Sequence, residues 1–412
     1  MEYGLIGEKL GHSFSADIHS KIGHYDYRLR ELPPEGVAPF LAEGNFRAVN
    51  VTIPYKTAVI PYLSYVSPEA EAIGAVNTVV NRDGKLYGYN TDFFGLRELI
   101  LRVTKGKPLA GKVLILGTGG TSRTAAAVVK AMGAKAVTVS RTAKNGAVSY
   151  EEALAEHTDA SFLINTTPVG MYPNTEGMAI DLAAFSHLMG VVDAVYNPLR
   201  TPLIRRAKAL GIPAEGGLYM LVAQAVAAYG YFFDTDPKTE LIDRIYGDML
   251  TEKENVVLVG MPASGKSSVG KAVAEALGRP FYDSDEEIVK EAGMPIPDYF
   301  ATYGEAAFRD LESRVIARLS AEVKGAVIAT GGGAVLRAEN VDRLKGNGRL
   351  FWLDRSLDRL IPTADRPLSS DCEALRKRYE ERYPVYRAVC DLRIDGNGRV
   401  DEVANAVLAA FC

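Results

Sequence analysis

The sequence predicts an α/β protein of more than one domain, with parallel sheets as its frame. Three observations carry this. The apolar run Lys112-Val-Leu-Ile-Leu116 is followed by Gly117-Thr-Gly-Gly-Thr121 and an Ala/Val-rich helix from Ser122 to Met132, which is the strand, glycine turn and helix that open a Rossmann-like doubly wound unit. The same grammar recurs at Val256-Val-Leu-Val259 with Gly260-Met-Pro-Ala-Ser-Gly-Lys-Ser267. The length of 412 residues accommodates two or three domains at roughly 100–200 residues each.

Taken in order, residues 1–101 read as short strands alternating with helices. Among them is Ala48-Val-Asn-Val-Thr-Ile53, stopped by Pro54, and a helix opens near Asp92. Lys105-Gly-Lys-Pro108 is a polar break before the glycine-turn unit. Val137–Val139, Phe162–Ile164 and Val191–Val192 follow as buried strands, spaced widely enough for crossover helices. Between Gly247 and Asn255 the chain turns to Asp-Met-Leu-Thr-Glu-Lys-Glu, read as a linker over 248–254 that spans at most ~25 Å when extended. A further domain with a parallel sheet fills 255–412. Because the two glycine loops differ in pattern, the chain is a fusion of unlike nucleotide binders and not a duplication.

Composition narrows the classes. Apolar residues at 47% and charged residues at 24% are the balance of an ordinary soluble globular protein. The net charge of −4, from 47 basic and 51 acidic side chains, offers no overall attraction for nucleic acid or anionic lipid, so any phosphate is bound locally. Cys372, Cys390 and Cys412 lack the spacing of a disulfide framework or a zinc site. The N-terminus has no apolar signal-peptide core, and the most apolar stretch, Leu218–Phe233, is shorter than a ~20-residue span and contains Gln224. A reducing, cytoplasmic setting is expected.

Glycines at a helix start let a pyrophosphate approach backbone N–H groups. After the next strand, where an NAD site would present an acid to the ribose, the chain has Ser140-Arg-Thr-Ala-Lys144, whose cations suit a 2′-phosphate and point to NADP. Asn50-Val-Thr-Ile-Pro-Tyr-Lys56 and Gly88-Tyr-Asn-Thr-Asp92 both place polar groups at strand ends. A lysine with an aspartate partner can supply and orient a proton for ketone reduction, although residue types alone favour a surface ion pair. Gly260–Ser267 meets pattern and context of a P-loop, with backbone N–H groups around phosphates, Lys266 on the β/γ oxygens and Ser267 on Mg²⁺.

Gly11-His-Ser-Phe-Ser15, the Asn50–Lys56 segment, Gly74-Ala-Val-Asn-Thr78, Gly88–Asp92 and Gly217-Leu-Tyr-Met-Leu-Val-Ala-Gln224 occur in that order. Together they resemble the shikimate dehydrogenase family over residues 1–247. The resemblance implies a substrate domain at 1–101 completed by 216–247, around an NADP domain at 102–215. It implies Lys56 and Asp92 as the catalytic pair. Ser13, Ser15, Thr52, Asn77, Asp92, Tyr196 and Gln224 would surround the hydroxyls and carboxylate of shikimate. NADP would meet Gly117, Thr118, Gly119, Gly120, Thr121, Ser140, Arg141, Thr142 and Lys144, with Asn165–Met171 beside it and Ala194 and Gly217 at the nicotinamide. Departures are Thr118 and Thr121 where alanine is common, and Ser140 where asparagine usually precedes the arginine.

Phe281-Tyr-Asp-Ser-Asp285, Gly304-Glu-Ala-Ala-Phe-Arg309, Gly331-Gly-Gly333, Arg366-Pro-Leu368 and Arg382-Tyr-Pro-Val-Tyr386 are similar to the shikimate kinase family over 255–412. That resemblance implies ATP at Ala263, Ser264, Gly265, Lys266, Ser267 and Ser268, with Arg366 in a lid and Arg399 near the adenine. Lys266 and Asp285 would be catalytic, Asp285 as base, and Ser267 and Asp283 would lie on Mg²⁺. Asp285, Arg309, Gly331, Gly332, Gly333 and Arg382 would hold shikimate. Pro297, within Ile296-Pro-Asp-Tyr-Phe300, stands where the family usually has an uninterrupted helix, and Ser369 where leucine is common. The joint expectation is a bifunctional enzyme that reduces 3-dehydroshikimate with NADPH and phosphorylates the product with ATP, with small-molecule partners and neither nucleic acid nor membrane. Rival readings are a quinate dehydrogenase using NAD, and a sensor built on inactive domains.

Overall fold

The computed structural model describes residues 2–11, 14–144, 146–360 and 372–411, so the expectations for Ser13 and Arg366 lie outside the described residues. The chain forms two compact units, Met1–Met249 and Leu250–Cys412.

The first unit holds two sheets. Strands β1 (Tyr3–Gly7), β2 (Tyr27–Glu31), β3 (Ala48–Val51), β4 (Tyr65–Val66), β5 (Thr78–Arg82) and β6 (Lys85–Tyr89) form one sheet in the order β2-β1-β3-β5-β6-β4. It is mixed: β1 runs parallel to β2 and β3, while β5 is antiparallel to both β3 and β6. The reversal is made by the two-residue loop Asp83-Gly84, with φ of 52° and 80°. Two successive positive φ values suit a twisted hairpin, and an Asp-Gly pair meets that demand.

Strands β7 (Lys112–Leu116), β8 (Lys135–Val139), β9 (Phe162–Asn165), β10 (Gly190–Asp193) and β11 (Ala214–Glu215) form an all-parallel sheet in the order β11-β10-β9-β7-β8. The order reverses between β7 and β9, and a crevice at such a switch point is the usual ligand site of an open parallel sheet. One core packs Leu114, Leu116, Leu163 and Val191 against Leu203, Ile204 and Ala207 of the helix Pro202–Ala209.

Helix Thr91–Thr104 lies against helix Leu218–Phe233. The approach depends on Gly95, where an added Cβ would stand 2.6 Å from the Met220 carbonyl oxygen and 3.1 Å from Gln224 Cβ. Helix Leu218–Phe233 is apolar nearly all round because it is buried on most sides. Among the described residues no helix is long and apolar enough to cross a membrane.

The stretch read as a linker, 248–254, is helical through Lys253, as the end of the helix Thr239–Lys253. Ile242, Ile245, Tyr246 and Met249 are buried at i, i+3, i+4 and i+7. Asp248, Thr251 and Glu252 are thus on the exposed side of an amphipathic helix, while Glu254, just past its end, is buried and pairs with Arg349 at 2.6 Å.

In the second unit β12 (Asn255–Val259), β13 (Phe281–Asp283), β14 (Val327–Ala329), β15 (Gly348–Asp354) and β16 (Leu392–Asp395) form a parallel sheet in the order β13-β14-β12-β15-β16. Central β12 is buried on both faces, which explains its unbroken apolar run. Val257 and Val259 face a core with Phe308, Leu311 and Trp352, while Val256 and Leu258 face Val269, Val273 and Phe351. Pro297 falls in the first turn of the helix Ile296–Glu322, where its missing N–H costs nothing. The break in that helix is at Gly304, with φ 81° and ψ 172°.

Gly95→Val tests the helix contact. It should destabilise the first unit by about 1–3 kcal/mol through overpacking, read as a lower thermal midpoint, and an unchanged midpoint would show the two helices free to part.

Candidate active sites

The first site is a cleft of about 320 Å³ at the carboxyl edge of the mixed sheet. Its wall includes Ser15, Thr52, Lys56, Asn77, Asp92, Tyr196 and Gln224, so every described residue of the first unit expected to bind shikimate lies on it. Thr52 and Lys56 follow β3, Asn77 precedes antiparallel β5, and Asp92 opens the helix after β6. Lys56 Nζ meets Asp92 Oδ2 at 2.6 Å, and the two side chains are 30% and 21% exposed. The pair therefore borders the cleft and is neither a free surface pair nor sealed.

Asn77 Oδ1 accepts from the Thr91 backbone N–H at 2.7 Å, so its amide borders the cleft in a set orientation. Gln224 Nε2 donates to the Leu221 carbonyl at 2.8 Å, and its Oε1 accepts from Thr91 Oγ1 at 3.3 Å. Tyr196 packs against Phe14 with ring centroids 5.6 Å apart, and burial raises its phenol pKa above the ordinary value. Asn50, quoted in the motif yet given no role, is buried: it donates to Thr78 Oγ1 at 3.0 Å and accepts from the Tyr27 hydroxyl at 2.8 Å. It fixes the floor on which Asn77 stands.

The second region is the switch point of the parallel sheet. Gly117 has φ 110°, and a Cβ there would stand 2.8 Å from Thr166 Oγ1. Helix Gly120–Ala131 has no side-chain cap, and nothing lies within 4 Å of a Cβ built on Gly119 or Gly120. Uncapped N–H groups beside open space suit a pyrophosphate. Thr118 is exposed, Thr121 half-buried, and Ser140, Arg141, Thr142 and Lys144 follow β8, with all but Ser140 exposed. Gly217 is pressed against the main chain of Ala194, whose carbonyl oxygen would be 2.2 Å from a Cβ.

That junction is governed by Asp193, which the sequence reading passed over. Its buried carboxylate accepts from Thr201 Oγ1 at 2.6 Å, Asn165 Nδ2 at 2.9 Å and the Val195 N–H at 3.0 Å. Burial pushes its pKa up to about 6, against the opposing pull of those hydrogen bonds.

In the second unit the loop after β12 leads into helix Lys266–Leu277. Gly265, with φ 90°, is its N-cap, Ala263 has φ 64°, and Ser264 is buried. Lys266 Nζ donates to the carbonyls of Gly260 at 3.0 Å and Met261 at 2.8 Å. Ser267 Oγ donates to Asp283 Oδ2 at 2.5 Å, which brings together two hard oxygen donors, and Ser268 is in the next position of the helix. Asp285 N–H donates to Asp283 Oδ1 at 3.0 Å.

Gly331, Gly332 and Gly333 thread between these groups. Side chains on them would meet Asp285 Oδ1 at 2.7 Å, Pro262 Cδ at 2.7 Å and Arg309 Nη1 at 2.1 Å, respectively. Buried Arg382 donates to the Gly332 carbonyl at 3.1 Å, and Tyr386 donates to the same oxygen at 2.5 Å. Arg309 donates to Glu312 Oε2 at 2.7 Å and Glu305 Oε1 at 3.2 Å. Asp285, Arg309, Arg382 and the three glycines thus converge. Glu312 joins them unforeseen: its side chain is 2% exposed, and burial raises its pKa while Arg309 pulls it down. Arg399 is not drawn in by any described contact; its side chain is 79% exposed and pairs with Asp401 at 3.2 Å.

Comparison with known proteins follows the same division. A profile described as "Shikimate dehydrogenase substrate binding domain" matches residues 5–79, and one described as "Shikimate kinase" matches residues 262–412. The shikimate dehydrogenase (NADP(+)) of Clostridium perfringens is 38% identical over 245 residues, covering 55% of this chain and 90% of that protein. The crystal structure of a chorismate mutase/shikimate 5-dehydrogenase fusion protein from Clostridium acetobutylicum is similar with TM-score 0.56 at 33% identity, over 60% of this chain and 96% of that one. Shikimate 5-dehydrogenase from Thermus thermophilus, in complex with NADP(H) and shikimate, matches with TM-score 0.54 at 32% identity, over 60% of this chain and 99% of that one.

Asp193 generates a pH dependence. A folded-state pKa near 6, above the usual carboxylate value, means its contribution to stability is complete below about pH 4 and is lost as pH rises through 6. The loss is about 3 kcal/mol. Asp193→Asn should therefore flatten the fall in thermal midpoint of the first unit between pH 4.5 and 7.5, and parallel curves for the two proteins would contradict the assignment.

Proposed function

We infer that this chain, which belongs to the shikimate dehydrogenase family and carries a shikimate kinase domain after it, performs two consecutive steps on one ring. It is a bifunctional enzyme of the shikimate pathway: it reduces 3-dehydroshikimate to shikimate and phosphorylates shikimate to shikimate 3-phosphate. The hydroxyl made by the first step is the one phosphorylated by the second.

For the reduction, the observation that carries the reading is the Lys56–Asp92 pair at 2.6 Å in a cleft shared with Ser15, Thr52, Asn77, Tyr196 and Gln224. NADPH supplies the hydride. Lys56 delivers a proton to the carbonyl oxygen as it becomes a hydroxyl, and Asp92 holds the ammonium on that oxygen. The hydroxyls, amides and phenol around them bind a small polyol acid through convergent donors and acceptors. Open space above Gly119 and Gly120 fits the pyrophosphate, and exposed Arg141 and Lys144 after β8 fit a 2′-phosphate. The same cations argue against the NAD-dependent quinate reading.

For phosphoryl transfer, backbone N–H groups of Ala263–Ser268 cradle ATP, Lys266 moves from loop carbonyls onto phosphate oxygens, and Asp285 takes the proton of the attacking hydroxyl. Arg309 and Arg382 hold the carboxylate and ring, and Glu312 fixes the Arg309 fork. Ser267 and Asp283 would hold Mg²⁺, whose charge offsets that of the phosphates. Groups suited to proton transfer in both units argue against a sensor, which needs binding groups alone.

Lys56→Ala should lower reduction roughly 10²–10⁴-fold and leave kinase turnover intact; equal losses in both assays would defeat the separation of sites. Chelation of divalent cations should abolish phosphoryl transfer and spare reduction, so a kinase indifferent to chelation would remove Ser267 and Asp283 from the metal role. One incubation with 3-dehydroshikimate, NADPH, Mg²⁺ and ATP, read by mass spectrometry, should yield shikimate 3-phosphate; ligand binding with no product from either half would favour the sensor.

A further inference from the structure

The groups placed around the nucleotide so far belong to the P-loop, to Asp283 and to the arginines expected at the lid and adenine. One cation beside that loop has no role. Arg355 follows directly on β15, the neighbour of β12 in the sheet, so it emerges at the edge from which the P-loop springs. Its guanidinium makes no hydrogen bond or ion pair among the described residues, and its Nε is sealed from water without an acceptor. The adjacent carboxylate is paired elsewhere: Asp354 Oδ2 accepts from Arg393 through Nε at 2.8 Å and Nη2 at 2.6 Å, and no ion pair joins Asp354 to Arg355 among the described residues. Meanwhile Arg355 Nη1 lies 3.7 Å from the point where a Cβ on Gly265 would stand. The guanidinium therefore packs against the last glycine of the phosphate loop.

A guanidinium stays charged at any physiological pH, and a partly buried charge without a partner is unfavourable. Charge and position together call for an anion held at the P-loop, which cradles α- and β-phosphates. We propose that Arg355 is a nucleotide-binding residue whose guanidinium contacts a phosphate oxygen of the bound nucleoside di- or triphosphate beside Gly265. The inference rests on reading the second unit as an ATP-using kinase. A planar fork suits a phosphate better than a single ammonium does, so arginine and lysine are not equivalent here.

The test is ADP affinity, by calorimetry on the full chain, for the unaltered protein, Arg355→Met and Arg355→Lys. Methionine keeps the apolar stem that packs on the loop and removes the charge. Arg355→Met should weaken ADP binding about ten- to a hundredfold, the loss of a hydrogen bond to a charged group. It should raise KM for ATP by a similar factor while KM for shikimate stays put, and reduce the dependence of ADP affinity on salt. Arg355→Lys should recover part of the affinity. ADP affinity within twofold of the unaltered chain in Arg355→Met overturns the proposal. So does a loss that Arg355→Lys does not relieve and that comes with a lower thermal midpoint and a raised KM for shikimate, the pattern of a structural residue. An unaltered chain that fails to bind ADP would instead defeat the kinase reading itself.

Discussion

Parallel pairing of strands is the constraint on which the rest depends. It sends the carboxyl ends of neighbouring strands to one edge, where helices begin and backbone N–H groups are free. In the mixed sheet β3 and β6 end at the cleft, and antiparallel β5 begins there, which is why Asn77 joins Lys56 and Asp92 from the opposite chain direction. In the second sheet β7, β8, β9 and β10 deliver Gly117, Ser140, Asn165 and Asp193 to one rim. In the third, β12, β13, β14 and β15 deliver the P-loop, Asp283 to Asp285, the three glycines and Arg355.

The two sites treat charge differently. Lys56 and Asp92 remain partly open to solvent, and a pair so placed contributes about 0–1 kcal/mol to stability, too little to account for its position at the centre of a cleft. Arg309 and Glu312 are far more enclosed, at 12% and 2% exposure. Removing Arg309 would leave Glu312 buried without its ion-pair partner, a loss of about 3–5 kcal/mol, whereas Arg309 would keep Glu305 if Glu312 were removed. In the proposed mechanism the first pair would exchange a proton with a ligand, and the second would hold a recognition group still.

Most of both sites was legible because each functional loop is a local event: an apolar strand, a turn whose glycines permit close approach, and a helix start. Lys56, Asp92, Asn77 and Asp285 sit in or beside such loops, whereas Gln224, Arg309 and Arg382 lie within helices and were legible only through the family resemblance. Groups that act through burial were not legible. Asp193, Asn50 and Glu312 resemble ordinary polar residues in the chain, and only enclosure by Thr201, Tyr27 and Arg309 gives them their part. The stretch after Gly247 misled for the converse reason, since its charges are conspicuous while the buried stripe Ile242, Ile245, Tyr246 and Met249 has to be sought upstream. The Asp83-Gly84 hairpin was present as a dipeptide, and noticing it would have turned an alternating α/β unit into the mixed sheet that is found.

The turn Gly331–Gly333 touches three separate parts of the kinase site, a carboxylate, the P-loop proline and an arginine, with no space for a single added carbon at any of them. This limits how the domain can evolve. A change of acceptor cannot begin at the turn, because a side chain there would displace Asp285, Pro262 or Arg309 before it offers a new contact. Diversification has to start from the side chains that face the turn, so the glycines act as a fixed template against which any new specificity must be fitted.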